Sequence, residues 1–441
     1  MSIEQSLSML GAAEVLITLK DFKDATDSLT LTTAKTIGAG LARCFTTGPG
    51  SRLSAVAAAA GLRKPKQGYR VYRHLGMVLG TVDAAGLKQL LKHKSVQEVA
   101  EVPELSLIRP EEEPVAALAA AAAPFPPGPT WGIRRLKIDK LWEKGLTGKG
   151  VLVAHLDTGI DGDHPGLKPA IAKFAEFNIA GDLVPNALPR DSGNHGTHTA
   201  GTIAGRPVDG VQYGVAPEAL LLSAMVIEKG DIIRRILGGM DWAVGNKAKI
   251  LSMSLGIRGV NQSFLALMQN IRGRGILPVI AVGNEGPATS RSPGNYDEVL
   301  SVGAFDETDK VWDKSSSQQM LQPQPRWVPD LVAPGVRVIS AKRGGGFLSW
   351  HGSSMATPHI AGLAALLFQA KPRATVDEVE TAIFKSCSRP STITVDRGNR
   401  GIPDAVKAHQ LLLAGAVSPP PIKKVAKKTT KKGASKRPPA P

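Results

Sequence analysis

Four short stretches of the chain carry residue types that together could cut an acyl bond. "VAHLDTG" puts Asp157 at the end of an apolar run, and "GNHGTHTAGTIAG" puts His195 ahead of a helix made of small residues. "WHGSSMATPHIAG" sets Ser353 and Ser354 at the mouth of an apolar helix, with His351 and His359 close by. "AVGNEG" places Asn284 between an apolar run and a glycine. A serine hydroxyl becomes a nucleophile when a histidine takes its proton and a third group orients that histidine. An amide such as that of Asn284 can donate to the oxyanion that then forms. The order along the chain is Asp157, His195, Ser354.

Other chemistries fit these residues less well. His195 and His198, at i and i+3, could share a metal ion. No carboxylate or cysteine accompanies them at a familiar ligand spacing, and no metal is expected. Gly352-x-Ser354-x-Ala356 approximates the G-x-S-x-G elbow of a different hydrolase fold. That fold needs an acid and then a histidine after the serine. The tempting pair, Asp404 and His409, falls within one helical stretch. His351 and His359 are most simply local structure, and His198 a packing residue.

These groups need a rigid frame. From residue 131 to about 415, apolar strand-like runs alternate with helical patterns. The runs are "GVLVAHLD" (150–157), "AKILSMSLG" (248–256), "GILPVIAVGNEG" (275–286), "VLSVGAF" (299–305) and "DLVAPGVRVIS" (330–340). Near-continuous apolar strands imply a mostly parallel sheet with helices on both faces, an α/β fold whose site lies beyond the strands' carboxyl ends. Residues 1–108 mix strand and helix patterns within a short span, as in a small α+β domain. "EVLITLK", "YRVYRHLGMVLGTV" and "SVQEVAEV" read as strands, the second as one or two, and "DAAGLKQLLKHK" reads as a helix. Residues 109–130 form a Pro/Ala/Glu-rich linker open to proteolysis. Residues 416–441 form a Lys/Pro-rich tail expected to be disordered.

At the four quoted stretches the chain resembles the subtilisin-like serine proteases, or subtilases, over roughly residues 131–415. Asp157-Thr158-Gly159 is similar to the family's aspartate motif and His195-Gly196-Thr197-His198 to its histidine motif. Gly283-Asn284-Glu285-Gly286 is similar to its oxyanion motif. Gly352 to His359 resembles its serine motif, with Ser353 where threonine is commoner. The resemblance implies a serine endopeptidase acting on polypeptides. Ser354 would be the nucleophile, His195 the base, Asp157 the orienting acid and Asn284 the oxyanion donor. It also implies that Ser254, Leu255 and Gly256 bind substrate backbone. Gly283 would wall an open, apolar primary pocket, with Glu285 near its rim able to admit a basic side chain. No cofactor is implied beyond a structural calcium. For that ion the family's H-P-D-L carboxylate is replaced in His164-Pro165-Gly166-Leu167, leaving Asp209 as the one acid in a nearby loop. Residues 10–108 resemble a prodomain that inhibits the peptidase until self-cleavage, expected between about 108 and 130.

Composition bounds the rest. The chain has 441 residues, 42% hydrophobic but only 5% aromatic, enough for a large core built on small side chains. Cys44 and Cys387 fall in different segments, so no disulfide framework is expected. The start shows no basic, then apolar, signal pattern and no run spans a membrane, so a cytoplasmic location is expected. The net charge is +16, and residues 418–441 contribute eight of those charges (seven Lys, one Arg, no acid). Such a tail could contact nucleic acid or an anionic surface non-specifically. The alternative function is therefore a protease-scaffold protein whose main role is tethering through that tail.

Overall fold

The computed structural model describes residues 2–20, 40–46, 68–112, 125–228, 232–322 and 324–415. Most of the linker (113–124) and the whole basic tail (416–441) lie outside the described residues.

Helix α1 (Ile3–Leu10) opens the chain. Ser2 caps it, accepting from Gln5 N, while the Gln5 side chain accepts from Ser2 N in return. Strands β1 (Ala13–Leu19), β2 (Tyr69–Tyr72), β3 (Met77–Val82) and β4 (Val96–Glu101) form an antiparallel sheet in the order β2-β3-β1-β4. Helix α2 (Ala84–Lys92) is capped by Asp83. The stretch 69–82 is thus two strands joined by a turn. Strand periodicity gives this sheet two apolar faces. Val15, Ile17 and Leu19 join Val78, Val82 and Leu90 in a local core. Leu16, Met77 and Leu79 face the other way, into a cluster with Ile236, Met240, Phe264 and Leu267 of the following region.

Two short strands come next, β5 (Ser106–Leu107) and β6 (Glu111–Glu112). The main sheet then uses β7 (Leu152–Asp157), β8 (Ile171–Glu176), β9 (Leu220–Met225), β10 (Ile250–Met253), β12 (Leu277–Ala281), β14 (Leu300–Phe305) and β15 (Leu331–Pro334). These seven strands are all parallel, in the order β15-β14-β12-β10-β7-β9-β8. Two of the sequence runs divide. "AKILSMSLG" breaks at Ser254, after which β11 (Leu255–Arg258) leaves the sheet to pair with β13 (Arg291–Ser292). "DLVAPGVRVIS" breaks after Pro334, which has no N–H to donate, and Arg337 turns at a φ of 50°. The remainder, β16 (Val338–Ala341), pairs antiparallel with β17 (Phe347–His351).

Helices cover both faces, as buried parallel strands require. Helices α3 (His195–Ala204), α6 (Ser353–Ala370), α7 (Val376–Ser386) and α8 (Ala405–Leu413) pack one face with Val153, Leu221 and Ile250. Helices α4 (Ile232–Gly245) and α5 (Leu265–Gly273) pack the other with Ala154, Leu156 and Leu222. The chain reverses direction across the sheet at β7, which lies between β9 and β10. The carboxyl ends at such a switch point are where open α/β sheets bind ligands. Asp157 ends β7, and Ser254 follows β10.

The N-terminal sheet docks on α4 and α5. Asp241 accepts from the backbone N–H groups of His74 (2.6 Å) and Leu75 (3.2 Å), and Asn270 Nδ2 donates to Leu75 O (2.9 Å). Burial pushes the Asp241 carboxyl up to about 6, although both N–H groups favour its charged form. Arg234 pairs with Glu14 in the same interface, both buried. Cys44 and Cys387 are free thiols. Among the described residues no helix is long and apolar enough to cross a membrane.

Candidate active site

Asp157 reaches the site because β7 alternates. Val153, His155 and Asp157 face α3, and Ala154 and Leu156 face α4. His195 opens α3, and its Nδ1 lies 2.7 Å from Asp157 Oδ1. The same oxygen accepts from Thr158 N at 2.7 Å, and Oδ2 accepts from Thr199 Oγ1 at 3.1 Å. Burial alone would push the Asp157 carboxyl up. His195, His155 and the Thr158 N–H outweigh it and hold the group below the usual carboxylate range. The carboxylate is therefore charged beside the imidazole. His195 Nε2, on the far side of the ring, is buried with no hydrogen-bond partner among the described residues. The small residues of α3 serve close approach: a Cβ at Gly196 would stand 2.0 Å from Gly159 O, and one at Gly201 2.4 Å from Ser340 Oγ.

Ser353 and Ser354 begin α6 and have different partners. Ser353 N and Oγ both donate to Asn284 Oδ1, at 2.9 and 2.8 Å. Asn284 Nδ2 is thereby aimed outward, where it donates to Arg109 O at 2.9 Å. The hydroxyl at position 353 thus orients the asparagine, a role the sequence did not disclose. Ser354 Oγ donates to Ile108 O at 2.7 Å. The other two histidines of this stretch stay local. His359 Nδ1 lies 2.8 Å from Met355 O, and burial pulls its imidazole down to about 4. His351 Nδ1 accepts from Arg337 N. His198 Nε2 binds Val338 O, and burial pulls it down to about 3, so it carries no charge near neutrality.

The segment leading out of the N-terminal sheet crosses this constellation. Leu105 is buried in the same cluster as Leu255. Strand β5 pairs antiparallel with β11, Leu107 opposite Leu255 and Ser106 opposite Gly256. Ile108 N donates to Ser254 O at 3.1 Å. Beyond Arg109 and Pro110, β6 pairs with β17. Residues 105–112 therefore run across Ser354, with β5 paired to β11 before it and β6 paired to β17 after it. Ser254, Leu255 and Gly256 thus pair with the backbone of residues 106–108 of the same chain.

The pocket beside Gly283 differs from expectation. The Arg291 side chain, 4% exposed, stands between the two glycine walls. A Cβ on Gly256 would meet Arg291 Cβ at 3.1 Å, and one on Gly283 would meet Arg291 Cγ at 3.2 Å. Arg291 Nε donates to Glu285 Oε1 at 2.9 Å, and Nη1 donates to Ser106 Oγ (2.9 Å) and Gly256 O (3.3 Å). Glu285 is thus already paired, so the expectation that it would receive a basic side chain is corrected. The pocket is neither open nor purely apolar. Arg291 was missed because its position in sequence, between two serines, carries no motif.

A second Ser-His-Asp grouping exists. His155 Nδ1 lies 3.1 Å from Ser223 Oγ, and His155 Nε2 3.8 Å from Asp157 Oδ2. His155 and Ser223 face each other across β7 and β9, inside the sheet and beneath α3. Ser223 is fully buried there between two paired strands, and no extended chain can be laid against it. Ser354 is also fully buried, but what covers it is the strand 105–112 itself.

A family calcium site would need a carboxylate at position 166. A Cβ there would stand 2.0 Å from the Tyr213 hydroxyl, so the tyrosine occupies the space an aspartate needs. Among the described residues no group of three or more His, Cys, Asp or Glu side chains could hold a metal ion.

An extended chain bound beside a serine, with a charged aspartate bonded to a histidine at the switch point of a parallel sheet, is an arrangement a serine hydrolase of peptide bonds can use. Residues 148–411 match the Subtilase family profile, and the chain belongs to that family. Subtilisin E of Bacillus subtilis (strain 168) is 31% identical over 318 residues, 70% of this chain and 74% of that protein. The Major intracellular serine protease of the same organism is 36% identical over 244 residues, 54% of this chain and 74% of that protein. Subtilisin Savinase of Lederbergia lenta is 37% identical over 247 residues, 55% of this chain and 85% of that protein. The chain is a serine endopeptidase of α/β, subtilisin-like fold.

Proposed function

We propose that Ser354, His195 and Asp157 form the catalytic triad and that the chain's first substrate is its own residues 105–112. Ser354 Oγ attacks the Ile108 carbonyl carbon and His195 Nε2 takes the hydroxyl proton. The proton then passes to the Arg109 nitrogen as the Ile108–Arg109 bond breaks, leaving an acyl-enzyme that water hydrolyses. Asp157 holds the imidazole through Nδ1 and stabilises its charged form. The Ser354 N–H at the start of α6 and the Asn284 amide stabilise the oxyanion. In the uncut chain Asn284 Nδ2 sits on the next carbonyl, that of Arg109. Attack at Ile108 requires it to move over by one carbonyl.

The observation that carries this reading is the 2.7 Å contact between Ser354 Oγ and Ile108 O, on a strand paired with Ser254–Gly256. In the same position the N-terminal domain blocks the site, so it inhibits, even after the cut, until residues 105–108 leave Ser254–Gly256. Labelling with a fluorophosphonate, followed by peptide mapping and intact mass, tests the assignment. The expected result is a label on Ser354 and a new terminus at Arg109. A label on Ser223, or a processing site away from 108–109, would overturn it.

Arg291 should then set preference for the residue before the cut. Arg291→Ser removes the side chain that spans Gly256 and Gly283 and leaves Glu285 to solvent. The ratio of kcat/KM for Phe over Val at that residue is expected to rise about tenfold, the scale of a changed apolar pocket. Paired peptide substrates give the ratio directly, and an unchanged ratio would place Arg291 outside the pocket.

A further inference from the structure

Behind Asp157 runs a row of hydrogen bonds that the reaction above does not use. Ser223 Oγ lies 3.1 Å from His155 Nδ1, His155 Nε2 lies 2.9 Å from Thr199 Oγ1, and Thr199 Oγ1 lies 3.1 Å from Asp157 Oδ2. None of the four residues is more than 2% exposed. The row connects β9, β7 and α3 and ends on the carboxylate oxygen that His195 does not touch. A buried histidine behind the site could be no more than a satisfied core residue. The direction of these bonds shows otherwise.

Thr199 has one hydroxyl proton. Its oxygen lies near Asp157 Oδ2 and near the carbonyls of His195 (3.1 Å) and Gly196 (3.2 Å), all acceptors. If that proton pointed at His155, Oδ2 would lose the hydroxyl as a donor in a water-free place, an expensive loss for a carboxylate. With the hydroxyl proton directed at the Asp157 carboxylate, the Thr199 oxygen must accept from His155. Burial holds the His155 imidazole below its ordinary range, so it is neutral and has a single N–H. That N–H is then on Nε2, and Nδ1 accepts from Ser223. One consistent direction results: Ser223 to His155 to Thr199 to Asp157. The charged or titratable groups that act on this row are Asp157 on β7, Asp191 in the loop before α3, and His195 on α3.

We propose that His155 is a positioning residue for the peptidase reaction. It fixes the Thr199 hydroxyl, which holds Asp157 Oδ2, so that Oδ1 faces His195 Nδ1 in one rotamer. Four residues in two adjacent strands and a helix thus set the orientation of the base, and of the four only Asp157 has an assigned role in the sequence motifs. This inference rests on the triad proposed above.

The test uses the full chain after processing, with active sites counted by fluorophosphonate. Thr199→Val keeps the volume and removes the hydroxyl. His155→Leu removes the donor to it. Each is expected to lower kcat/KM about tenfold, the scale of one hydrogen bond to a charged group. Each is also expected to raise the apparent pKa of the acid limb, because a carboxylate with fewer donors stabilises the imidazolium more. The double variant should lose no more than either single one, since both break the same row. Thr199→Ser, which restores a hydroxyl, should recover the wild-type profile. Singles that lower Tm yet leave kcat/KM and the acid limb unchanged would overturn the proposal, as would a double variant that loses the product of the two factors. If a single variant fails to fold, Ser223→Ala at the far end of the row decides. A smaller upward shift of the acid limb supports the proposal and no shift overturns it. Failure of the triad reading would look different, because the wild-type label would then lie away from Ser354.

Discussion

Ser354→Ala is expected to lower kcat by about 10⁶, the factor known for the nucleophile of subtilisin itself, and to leave the chain uncut. The reason is direct. In the proposed reaction Ser354 Oγ bonds the Ile108 carbonyl carbon, and alanine has nothing to replace it. Folding should survive, because the Ser354 side chain donates only to Ile108 O. Its loss removes about 1 kcal/mol of net hydrogen bonding. The uncut variant keeps the N-terminal sheet covalently attached, with Leu16, Met77 and Leu79 still packed on α4 and α5. Intact mass and a peptide assay check this together. A Ser354→Ala chain that still acquires an Arg109 terminus, with no other peptidase present, would show that another group cuts the bond.

Asn284→Leu is expected to lower kcat by about 10²–10³, the effect of losing an oxyanion donor in subtilisin, with KM nearly unchanged. Leucine is close to asparagine in size but has no N–H. The strand before the cut is held by backbone pairing with Ser254–Gly256, which the change leaves intact. The cost therefore falls on the transition state, where charge appears on oxygen. Ser353 supports the same donor, since its N–H and hydroxyl hold Asn284 Oδ1. Ser353→Ala loosens the amide without removing it, so its kcat should fall between wild type and Asn284→Leu. Steady-state kinetics on one peptide series separate the cases. An Asn284→Leu enzyme with raised KM and normal kcat would make Asn284 a substrate-binding group.

Much of the candidate site is legible in the amino-acid sequence. Asp157, His195, Asn284 and Ser354 each sit in a short motif at an element boundary, where an apolar run meets a glycine or a helix start. Such boundaries are local, and strand and helix periodicity suffices to mark them. The same periodicity reveals the parallel sheet and leaves 69–82 as one strand or two, which the turn between β2 and β3 resolves. It does not show that "AKILSMSLG" and "DLVAPGVRVIS" divide, because leaving a sheet depends on partners elsewhere. Strand β11 leaves to meet β13 and β5, and β16 leaves to meet β17.

By itself the sequence determined the chemistry available: which serine is followed by Met355, which histidine opens a small-residue helix, and which aspartate ends a buried strand. The tertiary structure alone decided where that chemistry is aimed. Ile108, rather than another residue of the 108–130 stretch, meets Ser354 across 246 positions of chain. Arg291 enters the pocket between Gly256 and Gly283, and His155 stands two residues from Asp157 on the same face of β7. Each of these is a contact between distant segments. It is set by packing and by the pairing of buried polar groups, and neither leaves a periodic trace in a single sequence.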